Sequence, residues 1–167
     1  MGRDFVAVGA DQPELDGTGV RIGVACARWN RAITDRLLGG FTARAAALGV
    51  DEADVDVAWV PGAFELPLAA SALARTGRYD AVVAIGAVIR GDTAHFDFVA
   101  GGAADGLLRV QLDTGVPVVF GVLTTENRRQ ALVRSTVDGD VEGDDKGAEA
   151  AEVAIEMVAV LRAIQAG

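Results

Sequence analysis

Ala81–Ala100 reads AVVAIGAVIRGDTAHFDFVA: an uncharged apolar run, then the charged knot Arg90-Gly91-Asp92-Thr93, then a segment containing the only histidine of the chain. A short apolar run rich in Val and Ile reads as a strand. The knot ends it, and helical spacing takes over from about Ala94 to Asp113. Upstream, VRIGVACA reads as a strand, and Asn30 is placed to cap a helix whose Ile33, Leu37, Leu38, Phe41, Ala45 and Leu48 share a face; Gly49 marks its end. VDVAWV is followed by a predicted helix from Ala63 to Thr76. Downstream come the strand VPVVFGVLT, a helix from about Glu126 to Ser135, and a last helix carrying Ala151, Ala154, Ile155, Val158 and Leu161 on one stripe.

Apolar strands alternating with amphipathic helices imply a mostly parallel sheet, because each crossover helix must cover a sheet face. The expected fold is a three-layer α/β/α sandwich of flavodoxin-like type with a four-stranded sheet. Residues 1–19 form a polar arm, expected to be able to add a strand to a neighbouring subunit, and 20–167 form a single domain. Ligands of such sheets bind beyond the carboxyl ends of the strands. Four strand ends stand out: ARWN, PGAFELP, IRGDTAH and LTTEN.

The 167 residues suit one domain, and 51% hydrophobic with 23% charged residues describes an ordinary globular chain. A formal net charge of -9 disfavours nucleic acid as a partner, since counterion release needs a basic face. A small phosphate is compatible with that charge, because one arginine and a few backbone N–H groups can hold it. Cys26 is the only cysteine, so it forms no intrachain disulfide, supports no thiolate zinc site, and reads as a small core residue. No apolar run approaches the ~20 residues that span a bilayer. The amino-terminal stretch lacks the apolar run of a signal peptide, and Val6 sits where a myristoylation signal wants Ser or Thr. The expected location is the cytoplasm, with no membrane partner.

Nucleotide-binding glycine loops, a G-x-S-x-G elbow and H-E-x-x-H are all absent. IRGDTAH differs in kind. It follows a strand and opens a helix, so Gly91, Asp92 and Thr93 expose N–H groups at the positive helix end, an anion cradle with His95 in the first turn beside it. An imidazole there can move protons to or from a bound substrate. On local grounds the alternative stays open that Asp92 or Thr93 merely caps the helix. Glu65 follows a strand and can reach a ligand, while Phe64 and Trp29 offer flat faces to a ring; core packing is the competing reading for both aromatics. The stretch Asp138 to Glu149 nearly matches a calcium loop, with acids at its positions 1, 3, 5 and 12, but Glu142 is long for its place and Asp145 stands where an aliphatic residue would pair two hands. A solvated acidic turn that delivers Lys146 suits it better, and no metal is expected.

Together the segments ARWN, VPGAFELPLAA, GAVIRGDTAHFDFVA, GLLRVQLDTGVPVVFGVLTTEN, QALVR and KGAEAAEVAIEM, covering roughly Arg21 to Leu161, resemble the 6,7-dimethyl-8-ribityllumazine synthase family. The resemblance implies condensation of 5-amino-6-(D-ribitylamino)uracil with 3,4-dihydroxy-2-butanone 4-phosphate, releasing inorganic phosphate and water, without a cofactor. It implies stacking on Trp29 next to Asn30, ribityl and ring contacts from Ala63, Phe64 and Glu65, and backbone reading of the uracil edge by Ala87, Val88 and Ile89. Asp92 and Thr93 match the phosphate-binding pair, Arg134 the phosphate clamp, with Lys146 beside it, and His95 the proton donor and acceptor. Phe120 matches an aromatic from the neighbouring subunit. Arg134, His95 and Thr93 are expected to converge on one pocket.

Members are pentamers with sites between subunits, and some build a sixty-subunit icosahedral shell. Trp29 stands where many members have Phe, which keeps the stacking face. The stretch from Arg134 to Lys146 is longer than in shell-building members and adds Asp138, Asp140, Glu142, Asp144 and Asp145 where pentamers would pack. Like-charge repulsion there predicts a free pentamer rather than a decamer or shell. A flavodoxin-like module that binds flavin or lumazine without turnover is the rival function, since fold alone does not determine chemistry.

Overall fold

A computed structural model describes residues 14–136 and 143–166. Its elements run β1 (Ile22–Ala27), α1 (Arg31–Ala47), β2 (Val55–Val60), α2 (Leu66–Arg75), β3 (Ala81–Ile89), α3 (His95–Thr114), β4 (Val118–Thr125), α4 (Arg128–Val133) and α5 (Lys146–Ala166). The strands pair in the order β2-β1-β3-β4, every pair parallel. The two central strands carry the uninterrupted apolar runs: β1 is buried throughout and β3 everywhere except its last residue. The edge strand β4 mixes exposed with buried positions, and β2, on the other edge, has only exposed and half-buried ones.

Alternation along the strands sorts the core into two faces. Val24, Cys26, Val83 and Ile85 pack with Ile33, Leu37 and Phe41 of α1 and Ala151, Ile155 and Val158 of α5. Ala25, Val82, Ala84 and Val122 pack with Leu66 and Ala70 of α2 and Ala103 and Leu107 of α3. Helices therefore cover both sides, and the fold is the three-layer flavodoxin-like α/β/α sandwich.

The local expectations shift in three places. The helix expected from Ala63 opens as a 3-10 turn, Ala63–Glu65, and becomes α-helical only at Leu66, with Pro67 in the first turn where a missing N–H costs nothing. The helix after β4 is shorter than expected, Arg128–Val133, and starts where Asn127 accepts from Gln130 N at 3.0 Å. Asn30 occupies the N-cap position of α1 but does not cap it: its backbone is left-handed (φ 60, ψ 40), and its side-chain amide donates to Ala87 O at 2.9 Å. Asparagine tolerates that conformation better than most residues.

α5 crosses α1 very closely. A Cβ on Gly147 would collide with the Leu37 carbonyl oxygen, and the Asp145 carboxylate lies against Gly40. Asp145 also caps α5, accepting from Ala148 N at 2.9 Å. Ser135 and Asp145 form an antiparallel bridge, so the chain leaves and returns at one place. Asp138, Asp140 and Glu142, which the calcium-loop reading needs, lie outside the described residues, as does the segment 1–13 that would supply an added strand. Of the remaining loop acids, Glu149 pairs with Lys146 Nζ at 2.8 Å. Among the described residues no helix is long and apolar enough to cross a membrane.

Candidate active site

The sheet order reverses between β1 and β3: the chain passes from β1 outward to β2, and from β3 outward to β4. In an open parallel sheet, the carboxyl ends of the two strands at such a reversal leave a crevice, because the crossovers depart on opposite sides. A cleft of about 220 Å³ lies there. Trp29 and Asn30 enter it from the end of β1, Ala63 from the turn after β2, and Ala87, Val88 and Ile89 from β3. Gly91, Thr93 and His95 close it from the start of α3.

Each wall has a local cause. Arg28 N donates to Val60 O at 2.8 Å and Trp29 N to Pro61 O at 3.0 Å, so the β1–β2 pairing continues past both strands and presents Trp29 above the turn. The indole lies over Gly62, where an added Cβ would sit 2.5 Å from ring atom Cε3. Trp29 is nonetheless 63% exposed, so a broad apolar ring surface faces solvent. The Asn30 bond to Ala87 O ties the ends of β1 and β3 together across the crevice.

The turn expected to cradle an anion leads into α3 through a different cap. Ala94 holds the N-cap position, with no side-chain cap bond, and His95 N meets Thr93 Oγ1 at a long 3.4 Å. The 91–95 segment is exposed, so its amides can meet a ligand. α3 behind it is 20 residues long, and its positive end favours an anion.

Other expected residues fall elsewhere. Asp92 is exposed and does not line the cleft. Phe64 is 60% exposed, with its ring against Gly102, and the Glu65 carboxylate turns back to accept from Gly62 N at 3.0 Å. Phe120, Arg134 and Lys146 meet in a separate cleft of about 300 Å³ along β4 and α5, together with Glu149 and Val153. Within one chain, then, Arg134 does not join His95 and Thr93 in a single pocket. The reason is topological: β4 is the sheet edge beyond β3, and Arg134 follows it on α4's far end.

Phe96 and Val99 line the first cleft without having been singled out in the sequence. Their signal was present, since positions 95, 96 and 99 fall on one side of a helix start. The Lys146 ammonium is held charged above its ordinary range, chiefly by its bond to Glu149. Burial pushes the Cys26 thiol up to about 12, which leaves it an inert core group. Among the described residues no three metal-ligating side chains cluster.

A family model, 6,7-dimethyl-8-ribityllumazine synthase, matches residues 19–162, a span that takes in every strand of the sheet and all the walls of both clefts. The chain belongs to the 6,7-dimethyl-8-ribityllumazine synthase family, a family of riboflavin-biosynthetic transferases.

Proposed function

We propose that this chain condenses 5-amino-6-(D-ribitylamino)uracil with 3,4-dihydroxy-2-butanone 4-phosphate at a site that two adjacent subunits complete. The observation that carries it is the crevice at the sheet reversal, where an exposed indole, the open end of β3, a helix start and the lone histidine share one wall system. At about 220 Å³ this crevice is smaller than the ~300–1,000 Å³ typical of drug-sized ligands, and it holds none of the candidate phosphate cations. The second cleft supplies what the first lacks: Phe120, Arg134 and Lys146.

The exposed apolar side chains support a ring. Phe64, Leu68 and Phe98 are exposed on the α2 and α3 side, and Phe120, Val153 and Met157 on the β4 and α5 side. Two different sticky faces on one molecule make head-to-tail contacts, which close into a ring when the rotation allows. The family resemblance supports five subunits in that ring. Each first cleft then meets the second cleft of the next subunit.

In this site the uracil stacks on Trp29 and its edge meets the backbone of Ala87, Val88 and Ile89. The phosphate of the four-carbon substrate sits on the amides of the 91–94 turn and the Thr93 hydroxyl, clamped by Arg134 and Lys146 of the partner subunit. The amine attacks the ketone carbonyl and water leaves, forming an imine. His95 takes the proton whose loss drives out phosphate, and returns a proton as the second nitrogen closes the ring and the second water departs. Holding two reactants together can supply ~7–11 kcal/mol of the barrier, whereas a positioned acid or base contributes ~10²–10⁴-fold. Positioning dominates. Incubating the protein with both substrates and following lumazine absorbance and phosphate release tests the reading. Tight binding of lumazine or flavin with no product formed replaces it with the non-catalytic module.

A further inference from the structure

Arg90 is the residue after β3 and touches neither cleft, yet it joins every part that positions the cradle. Its backbone N–H donates to Thr125 O at 2.9 Å, tying the ends of β3 and β4. Its Nε lies 2.9 Å from Glu126 Oε2, beyond β4. Its Nη1 lies 3.2 Å from Asp97 Oδ1 in the first turn of α3, and its guanidinium carbon sits 4.1 Å from the centroid of the Phe96 ring. Phe96 in turn lines the first cleft. One planar group therefore bonds to carboxylates on α3 and on the turn after β4 while stacking on an aromatic, a geometry that suits arginine and not lysine.

The residues between Arg90 and Phe96 are the cradle and His95. Their internal bonding is sparse: His95 N to Thr93 Oγ1 at 3.4 Å and Asp97 N to Ala94 O at 3.0 Å. A short exposed turn with so few bonds of its own takes its shape from its two ends. At one end is the Arg90 backbone, bonded to β4. At the other are Phe96 and Asp97, held by the Arg90 side chain.

We infer that Arg90 is a positioning residue for the phosphate cradle and His95, acting through Phe96, Asp97 and Glu126. This rests on the proposed reaction for its kinetic consequences and on the cradle alone for its binding consequences. A merely structural role predicts otherwise. The Arg90 and Glu126 side chains are 36% and 61% exposed and that of Asp97 61%, and ion pairs at that exposure add little to global stability.

The test compares the unmodified protein with Arg90→Met and Arg90→Lys. Arg90→Met should melt within about 4 °C of the parent. Its kcat/KM for the butanone phosphate should fall roughly ten- to a hundredfold, with the KM for the uracil substrate unchanged, because a misplaced group near the reacting atoms costs that much. Arg90→Lys keeps one ion pair but not the planar stack, and should fall between. An independent readout needs no turnover: the chain has one histidine, so inorganic phosphate should perturb a single set of imidazole resonances. That response should weaken in Arg90→Met even if the protein forms no lumazine. A parental response and parental kinetics in Arg90→Met overturn the inference. So does equal loss for both substrates accompanied by a large drop in melting temperature, and so does a parent protein whose His95 resonances ignore phosphate.

Discussion

Single residues carry the chemistry, and their environments say what each loss should do. His95 lines the cleft, is exposed, and stands next to a turn whose amides are free to meet an anion. On the proposed reaction, replacing it with alanine removes proton transfer and leaves positioning intact, so turnover should fall by about 10²–10⁴-fold without vanishing; steady-state rates at saturating substrate measure this. Gly62 is a subtler case. Its missing Cβ is the space the Trp29 indole occupies, so Gly62→Ala should tilt the ring rather than unfold the chain. Loss of a well-placed stacking face, worth ~0.5–1.5 kcal/mol, should raise the KM for the uracil substrate roughly two- to tenfold with kcat little changed. An unaltered KM would mean that the indole is not the platform.

At the scale of elements, two contacts hold the site's supports in place. α5 presents Lys146 one residue before Gly147, which lies against the Leu37 backbone of α1. Backbone cannot yield as a side-chain end can. Gly147→Ala should therefore push the start of α5 outward and cost about 1–3 kcal/mol, lowering the melting midpoint by roughly 3–10 °C. On the other side of the sheet's start, buried Tyr79 donates its hydroxyl to Asp56 Oδ2 at 2.6 Å, joining the approach to β3 with the edge strand β2. That bond, aided by burial, raises the phenol above its ordinary value of 10.0. A phenol whose folded value exceeds its unfolded one stabilises the fold fully below the unfolded value and loses that contribution as pH rises through the folded one. Tyr79→Phe should thus cost about 1 kcal/mol at neutral pH, and the gap between variant and parent should close as unfolding is measured above pH ~10.

For the whole molecule, the proposed reaction makes the two clefts of a lone subunit two half-sites. If the first cleft of one subunit meets the second cleft of the next, then chains carrying His95→Ala and chains carrying Arg134→Ala are each defective in every site. Mixed in equal amounts and reassembled, they should regain up to about a quarter of parental activity, because that share of contacts joins an intact His95 to an intact Arg134. No recovery in mixed rings, confirmed by mass spectrometry of the intact assembly, would mean that the two groups do not share a site between subunits. The same spectrum should show about five copies of the 17.2 kDa chain. A sixty-subunit mass would overturn the free pentamer argued from the acidic stretch before α5.

Much of this was legible along the chain because strands and helices answer to local rules. β1 and β3 announced themselves as strands by their apolar runs, and α3 by a helical pattern opening straight after a Gly-Asp-Thr turn; that these two strands lie at the centre of the sheet came only with the strand order. The placement of Gly91, Thr93 and His95 at one cleft followed, since a strand end and a helix start are neighbours in sequence. Contacts between distant segments were not readable in that way. Asn30 looked like a helix cap, and only the approach of β3 57 residues later showed its amide an acceptor worth leaving the helix for. The separation of Arg134 and Lys146 from His95 depends on β4 lying at the sheet edge, and the ties of Arg90 to Asp97 and Glu126 depend on three elements ending at one level. Local periodicity determines which face of an element is apolar. Which elements become neighbours is decided by the packing of those faces against one another, and that packing exists only in the folded chain.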